Sequence, residues 1–221
     1  MNPNKLFVLL MVATLAVVSG CSRHNKSLDH GVYMLLDTSG TYTEQLVEAQ
    51  RVINYVLSEL EPGDTFAVAR IDTGSFSEKD IVYRQTFDTR PSQANIQRRK
   101  FREAIDKFVK EVKPSPYTDI TGGILQAAEH LNEVGPGDKT ILIFSDMKED
   151  IKEGYVRDIP LQLNGFKVVA LNVIKLASDN VDPREYMNRL EQWEEKVVAG
   201  GGEWEVINDL ERLEVALDFN N

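Results

Sequence analysis

The stretch Val32-Tyr33-Met34-Leu35-Leu36-Asp37-Thr38-Ser39-Gly40-Thr41 decides the fold. Five apolar residues end abruptly in a carboxylate, with hydroxyls following at alternate positions. A short apolar run closed by turn chemistry is the pattern of a strand buried on both faces. Such strands belong to parallel sheets covered by helices on each side. Ligands of those sheets gather just beyond the carboxyl ends of the strands. Asp37, Ser39 and Thr41 therefore stand where a site is expected, and all three offer the hard oxygen atoms that magnesium, manganese and calcium prefer.

Downstream the same grammar repeats. Thr43 can cap a helix with Leu46, Ala49, Ile53, Val56, Leu57 and Leu60 on one face, which Pro62-Gly63 ends. Thr65 to Ile71 reads as a second strand. The polar loop from Thr73 to Asp80 leads to a third, Ile81 to Phe87, and so short a connection predicts an antiparallel edge strand. Ser92 can cap a long helix in which Phe101, Ala104, Ile105, Phe108 and Val112 recur at helical spacing, stopped by Pro114 and Pro116. The loop Tyr117-Thr118-Asp119-Ile120-Thr121-Gly122-Gly123 feeds a helix with Ile124, Ala127, Ala128 and Leu131 inward. Thr140 to Ser145 is a buried strand ending at Asp146, and Phe166 to Ile174 is another. Arg184 to Ala199 forms an amphipathic helix closed by three glycines. A strand around Trp204 to Ile207 precedes a last helix that Asp209 can cap. Strands alternating with helices, without repeats or linkers, predict one α/β domain: doubly wound, with a mainly parallel sheet and helices on both faces.

The N-terminus reads as an address. Lys5 supplies a positive start, Leu6 to Val18 carry no charge, and Ser19-Gly20 lead to Cys21, the only cysteine. The layout predicts a secretory signal over residues 1–20, too short for a comfortable membrane span. Val18-Ser19-Gly20-Cys21 resembles the bacterial lipobox, which implies that Cys21 is acylated (palmitate among the chains) and becomes the first residue. Several acyl chains on one residue make a stable anchor. Residues 21–30 then form a polar tether and 31–221 the domain. Ser22 replaces the aspartate that usually retains Gram-negative lipoproteins at the inner membrane, which points to the outer membrane of the cell envelope. With Lys5 removed, 24 basic side chains face 35 acidic ones, a net charge of −11. That field repels nucleic acid and anionic membrane surfaces. With one cysteine, no disulfide can form within the chain.

Three polar segments carry a second resemblance: Asp37-x-Ser39-x-Thr41, Thr118-Asp119, and Asp146 in Ile143-Phe144-Ser145-Asp146. Together they resemble the von Willebrand factor A (vWA) domain family. Its metal-ion-dependent adhesion site combines Asp-x-Ser-x-Ser after the first strand, a threonine in a middle loop and an aspartate after the fourth strand. Thr41 stands where serine is usual, and Met147 where glycine usually follows the last aspartate. The resemblance covers roughly Gly31 to Leu217. It implies a Rossmann-like six-stranded sheet in the order 3-2-1-4-5-6 with the third strand antiparallel. It also implies a Mg2+, Mn2+ or Ca2+ ion held by Asp37, Ser39, Thr41, Thr118 and Asp146. The expected partner is a protein presenting an exposed Asp or Glu that completes the coordination. No nucleophile or base is required, so the expectation is a binding module and no enzyme.

Each piece has a plainer reading on its own. Asp37-Thr38-Ser39-Gly40 can be an Asx turn, and Thr118 or Asp146 a cap; it is the conjunction, in the family's order, that carries weight. The alternative class is a phosphatase of the haloacid-dehalogenase type with Asp37 as nucleophile. That chemistry needs a second aspartate two residues later as general acid, and Ser39 stands there. The segment Gly135-Pro136-Gly137-Asp138-Lys139-Thr140 precedes a strand where a phosphate loop should follow one. His24, His30 and His130 show no zinc spacing. Arg98, Arg99, Lys100 and Arg102 read as a solvated helix face, and Trp193 and Trp204 as packing.

Overall fold

A computed structural model describes residues 29–40, 45–72, 74, 77–173, 176, 182–208 and 213. Six strands form one sheet: β1 (His30–Asp37), β2 (Thr65–Ile71), β3 (Ile81–Thr86), β4 (Asp138–Phe144), β5 (Phe166–Leu171) and β6 (Glu203–Ile207). Four helices cover it: α1 (Leu46–Glu59), α2 (Pro91–Glu111), α3 (Ile120–Val134) and α4 (Pro183–Ala199). The order across the sheet is β3-β2-β1-β4-β5-β6, as the resemblance implies. All neighbours are parallel except β2 and β3.

β1 is central because both its faces are apolar; Val32 to Leu36 have no exposed surface. Val32, Met34 and Leu36 face α1 and α2, joined by Leu213. Tyr33 and Leu35 face α3 and α4. This double burial is why the parallel strands read as unbroken apolar runs. The terminal strand β6, Glu-Trp-Glu-Val-Ile, alternates instead and is mostly half-buried. The crossover from β4 to β5 departs from the usual pattern. A parallel connection normally carries a helix, but here residues 145–165 are irregular, holding to the core by Leu161 and Leu163.

Two caps differ from expectation. Ser92 lies inside α2, which starts at Pro91 with Arg90 at the cap position and no side-chain cap bond. The proline's fixed φ and missing N–H suit that first position, so no hydroxyl cap is needed. For α3 the capping side chain is Asp119. Arg98 is also less solvated than its neighbours: its guanidinium lies 5.3 Å from the Phe87 ring centroid and bonds the Leu60 carbonyl. The predicted helix at Asp209, the Thr43 cap, and everything before residue 29 lie outside the described residues. Among the described residues no helix is long and apolar enough to cross a membrane.

Candidate functional site

The strand order reverses at β1, whose following chain turns to one side while β4 lies on the other. Open α/β sheets place ligands at such a switch point. Leu36 pairs with Phe144, so Asp37 and the Ser145-Asp146 pair leave the sheet side by side. Asp37 is 1% exposed and Asp146 6%. The Ser39 N–H donates to Asp37 Oδ1 at 2.8 Å, and the Ser145 hydroxyl to Oδ2 at 2.6 Å. The Lys148 N–H donates to Asp146 Oδ1 at 2.7 Å.

Main-chain bonds sew the middle loop onto both strand ends. Ser115 N–H donates to the Thr38 carbonyl at 2.7 Å, forming a parallel bridge beside Ser39. Thr118 and Asp150 exchange both their bonds, at 2.8 and 3.0 Å. Thr118 is thereby fixed and 4% exposed. The structure thus places Asp37, Ser39 and Asp146 at the carboxyl ends of the two central strands, with Thr118 on the loop paired to Asp150, while Thr41 lies outside the described residues.

Two buried carboxylates on adjacent strand ends repel each other. Burial raises the Asp146 pKa above the usual carboxylate range, the Lys148 N–H opposes this, the charge of Asp37 adds to the rise, and the charges of Arg189 and Lys148 oppose it. Among the described residues neither carboxylate has an ion-pair partner: Arg189 donates to the Asp146 backbone carbonyl, at 2.9 Å. Burying unpaired charge is costly, so an oxygen-only donor set with surplus negative charge fits a hard divalent cation. The described residues contain no group of three His, Cys, Asp or Glu side chains able to hold a metal. A cation held there would draw on hydroxyl or water oxygens besides the two carboxylates.

Several contributors were not foreseen from sequence. Ser145 orients Asp37, and its place directly before Asp146 at a strand end was the available signal. Met147 adopts a left-handed φ of 63°, a conformation glycine takes freely and other residues rarely do. Its carbonyl accepts from the Trp193 indole at 2.8 Å, so that tryptophan serves the site as well as the core. Arg157, from the irregular crossover, reaches the wholly buried Asp119 beside Thr118. Its Nε lies 3.0 Å from each carboxylate oxygen and its Nη2 2.6 Å from Oδ2. No motif marks Arg157 or Arg189; each arrives from a distant segment.

No family model matches the chain, and no curated protein does. Among solved structures it superposes on a von Willebrand factor type A protein from Catenulispora acidiphila with a TM-score of 0.54 at 18% identity. That match covers 87% of this chain and 41% of the other. The pilus adhesin SpaC of Lactobacillus rhamnosus GG gives a TM-score of 0.50 at 11% identity, over 86% and 29% of the two chains. An aerotolerance-related membrane protein from Bacteroides fragilis, in a serine-substituted form, matches over 86% of this chain and 96% of that one at 16% identity and a TM-score of 0.47. The chain thus spans less than half the length of the first two, and at these identities the likeness is one of fold. Sheet order, the antiparallel third strand and the superposition at a TM-score of 0.54 agree: the chain has the fold of a von Willebrand factor type A domain.

Proposed function

We propose that this chain is a lipid-anchored, divalent-cation-dependent protein-binding module of the bacterial cell envelope. One observation carries the reading. Two buried carboxylates, Asp37 and Asp146, leave neighbouring strands together, and among the described residues neither forms an ion pair. Asp37, Ser39, Thr41, Thr118 and Asp146 would hold Mg2+ or Mn2+, with Ca2+ admitted if the loops supply more oxygens. The bound ion would supply positive charge for an Asp or Glu side chain of a protein partner. The chain's own residues hold and orient: Ser145 and the Ser39 N–H fix the Asp37 carboxylate, and the Asp150 pairing fixes Thr118. The structural likeness to a pilus adhesin supports a binding role. The chain's net charge of −10 opposes an acidic partner at long range, so the attraction is local and low salt should strengthen it little.

The anchor is proposed at Cys21, after removal of residues 1–20, with residues 21–30 tethering the domain to the outer membrane. Fatty-acid labelling that disappears in Cys21→Ser tests that part. The binding role is tested by pulldown from an envelope extract with and without chelator. We expect a partner retained only in the presence of the cation and lost with Asp37→Ala. Retention that survives chelation would reduce the site to a structural remnant. Cation-dependent hydrolysis of a generic phosphomonoester, abolished in Asp37→Ala, would replace the binding reading with the phosphatase one.

A further inference from the structure

Away from the candidate metal site, the terminal strand β3 is flanked by two cavities, one on each face of the sheet. On the α2 face a cavity of about 530 Å3 lies between Val82 and the side chains of Phe108 on α2 and Val112 just after it. Its lining is mainly cationic, with Arg70, Lys79, Lys107 and Lys113 against Asp80 and Glu111. On the α3 face a cavity of about 310 Å3 has the reverse lining, Glu129 and Glu133 beside Glu78, which is already paired with Arg84 at 3.2 Å. Each cavity is bordered by a side chain with a buried polar atom that has no hydrogen-bond partner among the described residues: Asp80 Oδ2 in the first and His130 Nε2 in the second. Asp80 is 1% exposed, and Arg70 bonds only its other oxygen, at 3.0 Å. Buried polar atoms nearly always have partners, and exceptions call for a reason.

Among the described residues no strand pairs with the outer edge of β3. Successive residues of an extended chain point to opposite faces of a sheet. A segment added along this edge would send neighbouring side chains alternately toward the two cavities. In that mode main-chain bonds supply affinity and the pockets supply specificity. We propose that the outer edge of β3 docks an extended segment of a protein partner. The segment carries an acidic side chain toward α2 and a basic one, an odd number of positions away, toward α3. Charge complementarity selects this occupant: in a chain of net charge −10 the α2 cavity is a local cationic exception, and the opposite cavity is acidic. A bulge at Val82 confines regular pairing with β2 to Tyr83 through Thr86, so the docked stretch is short and the binding weak.

The test uses the isotope-labelled full chain in EDTA, which separates it from the cation reading above. The probe is the peptide Ac-Thr-Val-Glu-Lys-Val-Thr-NH2, followed by amide chemical shifts. Expected are shifts confined to β3 and the facing residues of α2 and α3. Binding should fall at least tenfold for Ac-Thr-Glu-Val-Lys-Val-Thr-NH2, whose charges share one face. The same loss is expected for the Lys107→Glu, Lys113→Glu double variant, whose substitutions fall on exposed positions, one on α2 and one two residues beyond its end. Of the two alternately N-methylated forms of the probe, one should lose binding and the other keep it. Shifts that map elsewhere, equal binding of both peptides, or no response at millimolar peptide would overturn the proposal. Concentration-dependent broadening of β3 in peptide-free protein would assign the edge to a second copy of the chain and overturn it too.

Discussion

Replacing Arg157 by leucine isolates the contact that ties the irregular crossover to the candidate site. Asp119 has no exposed side-chain surface and Arg157 only 15%. The wild-type carboxylate accepts from the guanidinium and from the Gly122 N–H at 2.8 Å. In the variant the guanidinium is gone and the charge stays buried. Removing one partner of a buried pair costs about 3–5 kcal/mol, and in a chain of this size that lowers Tm by about 6–20 °C. Arg157→Leu combined with Asp119→Asn should recover most of the loss, because asparagine caps a helix well and carries no charge. The double-mutant cycle, read from urea midpoints, should therefore show a coupling of about 2–3 kcal/mol. A single-variant loss below about 1 kcal/mol, or additivity across the cycle, would refute the view that this pair is closed to solvent and holds the crossover.

The remaining outcomes concern the backbone and pH. Met147→Gly relieves a left-handed conformation worth about 1–2 kcal/mol but removes a fully buried side chain. Truncations of that kind cost about 2–5 kcal/mol, so denaturation should show a net loss while cation affinity persists. Gly122→Ala would set a Cβ 2.5 Å from Asp119 Oδ2; losing the cap and crowding the loop should cost about 1–3 kcal/mol by the same assay. Burial lowers the His130 pKa, Arg84 adds to this, and Glu133 and Glu78 oppose it. The unfolded chain then binds the proton more readily than the folded one, so this residue's contribution to stability falls as pH drops below about 6.5. Urea midpoints at about pH 7.5 and about pH 5.5 should differ less in His130→Gln than in the unsubstituted chain.

The strands were legible because burial on both faces writes them as apolar runs, β1 and β4 most clearly. Asp37 and Asp146 were legible for the same reason, each being the first charge after such a run. Ser145 was absorbed into its strand by the same logic, since a hydroxyl at the end of an apolar run does not announce its bond to Asp37. Arg157 was illegible: residues 145–165 have neither helical nor strand periodicity, and their placement rests on a few long-range contacts. The cap at α2 was misread at Ser92 because a hydroxyl cap and a proline start are competing solutions for the same unpaired N–H groups.

The central claim is that Asp37 and Asp146 are cation ligands, and titration calorimetry with Mg2+ and Mn2+ on the chelator-stripped full chain tests it most directly. The account predicts a single saturable site for either ion, lost in Asp37→Ala and Asp146→Ala and also in the isosteric Asp37→Asn, while each variant still unfolds cooperatively. Failure of both ions to bind at millimolar concentration, or binding left unchanged by these substitutions, would contradict it.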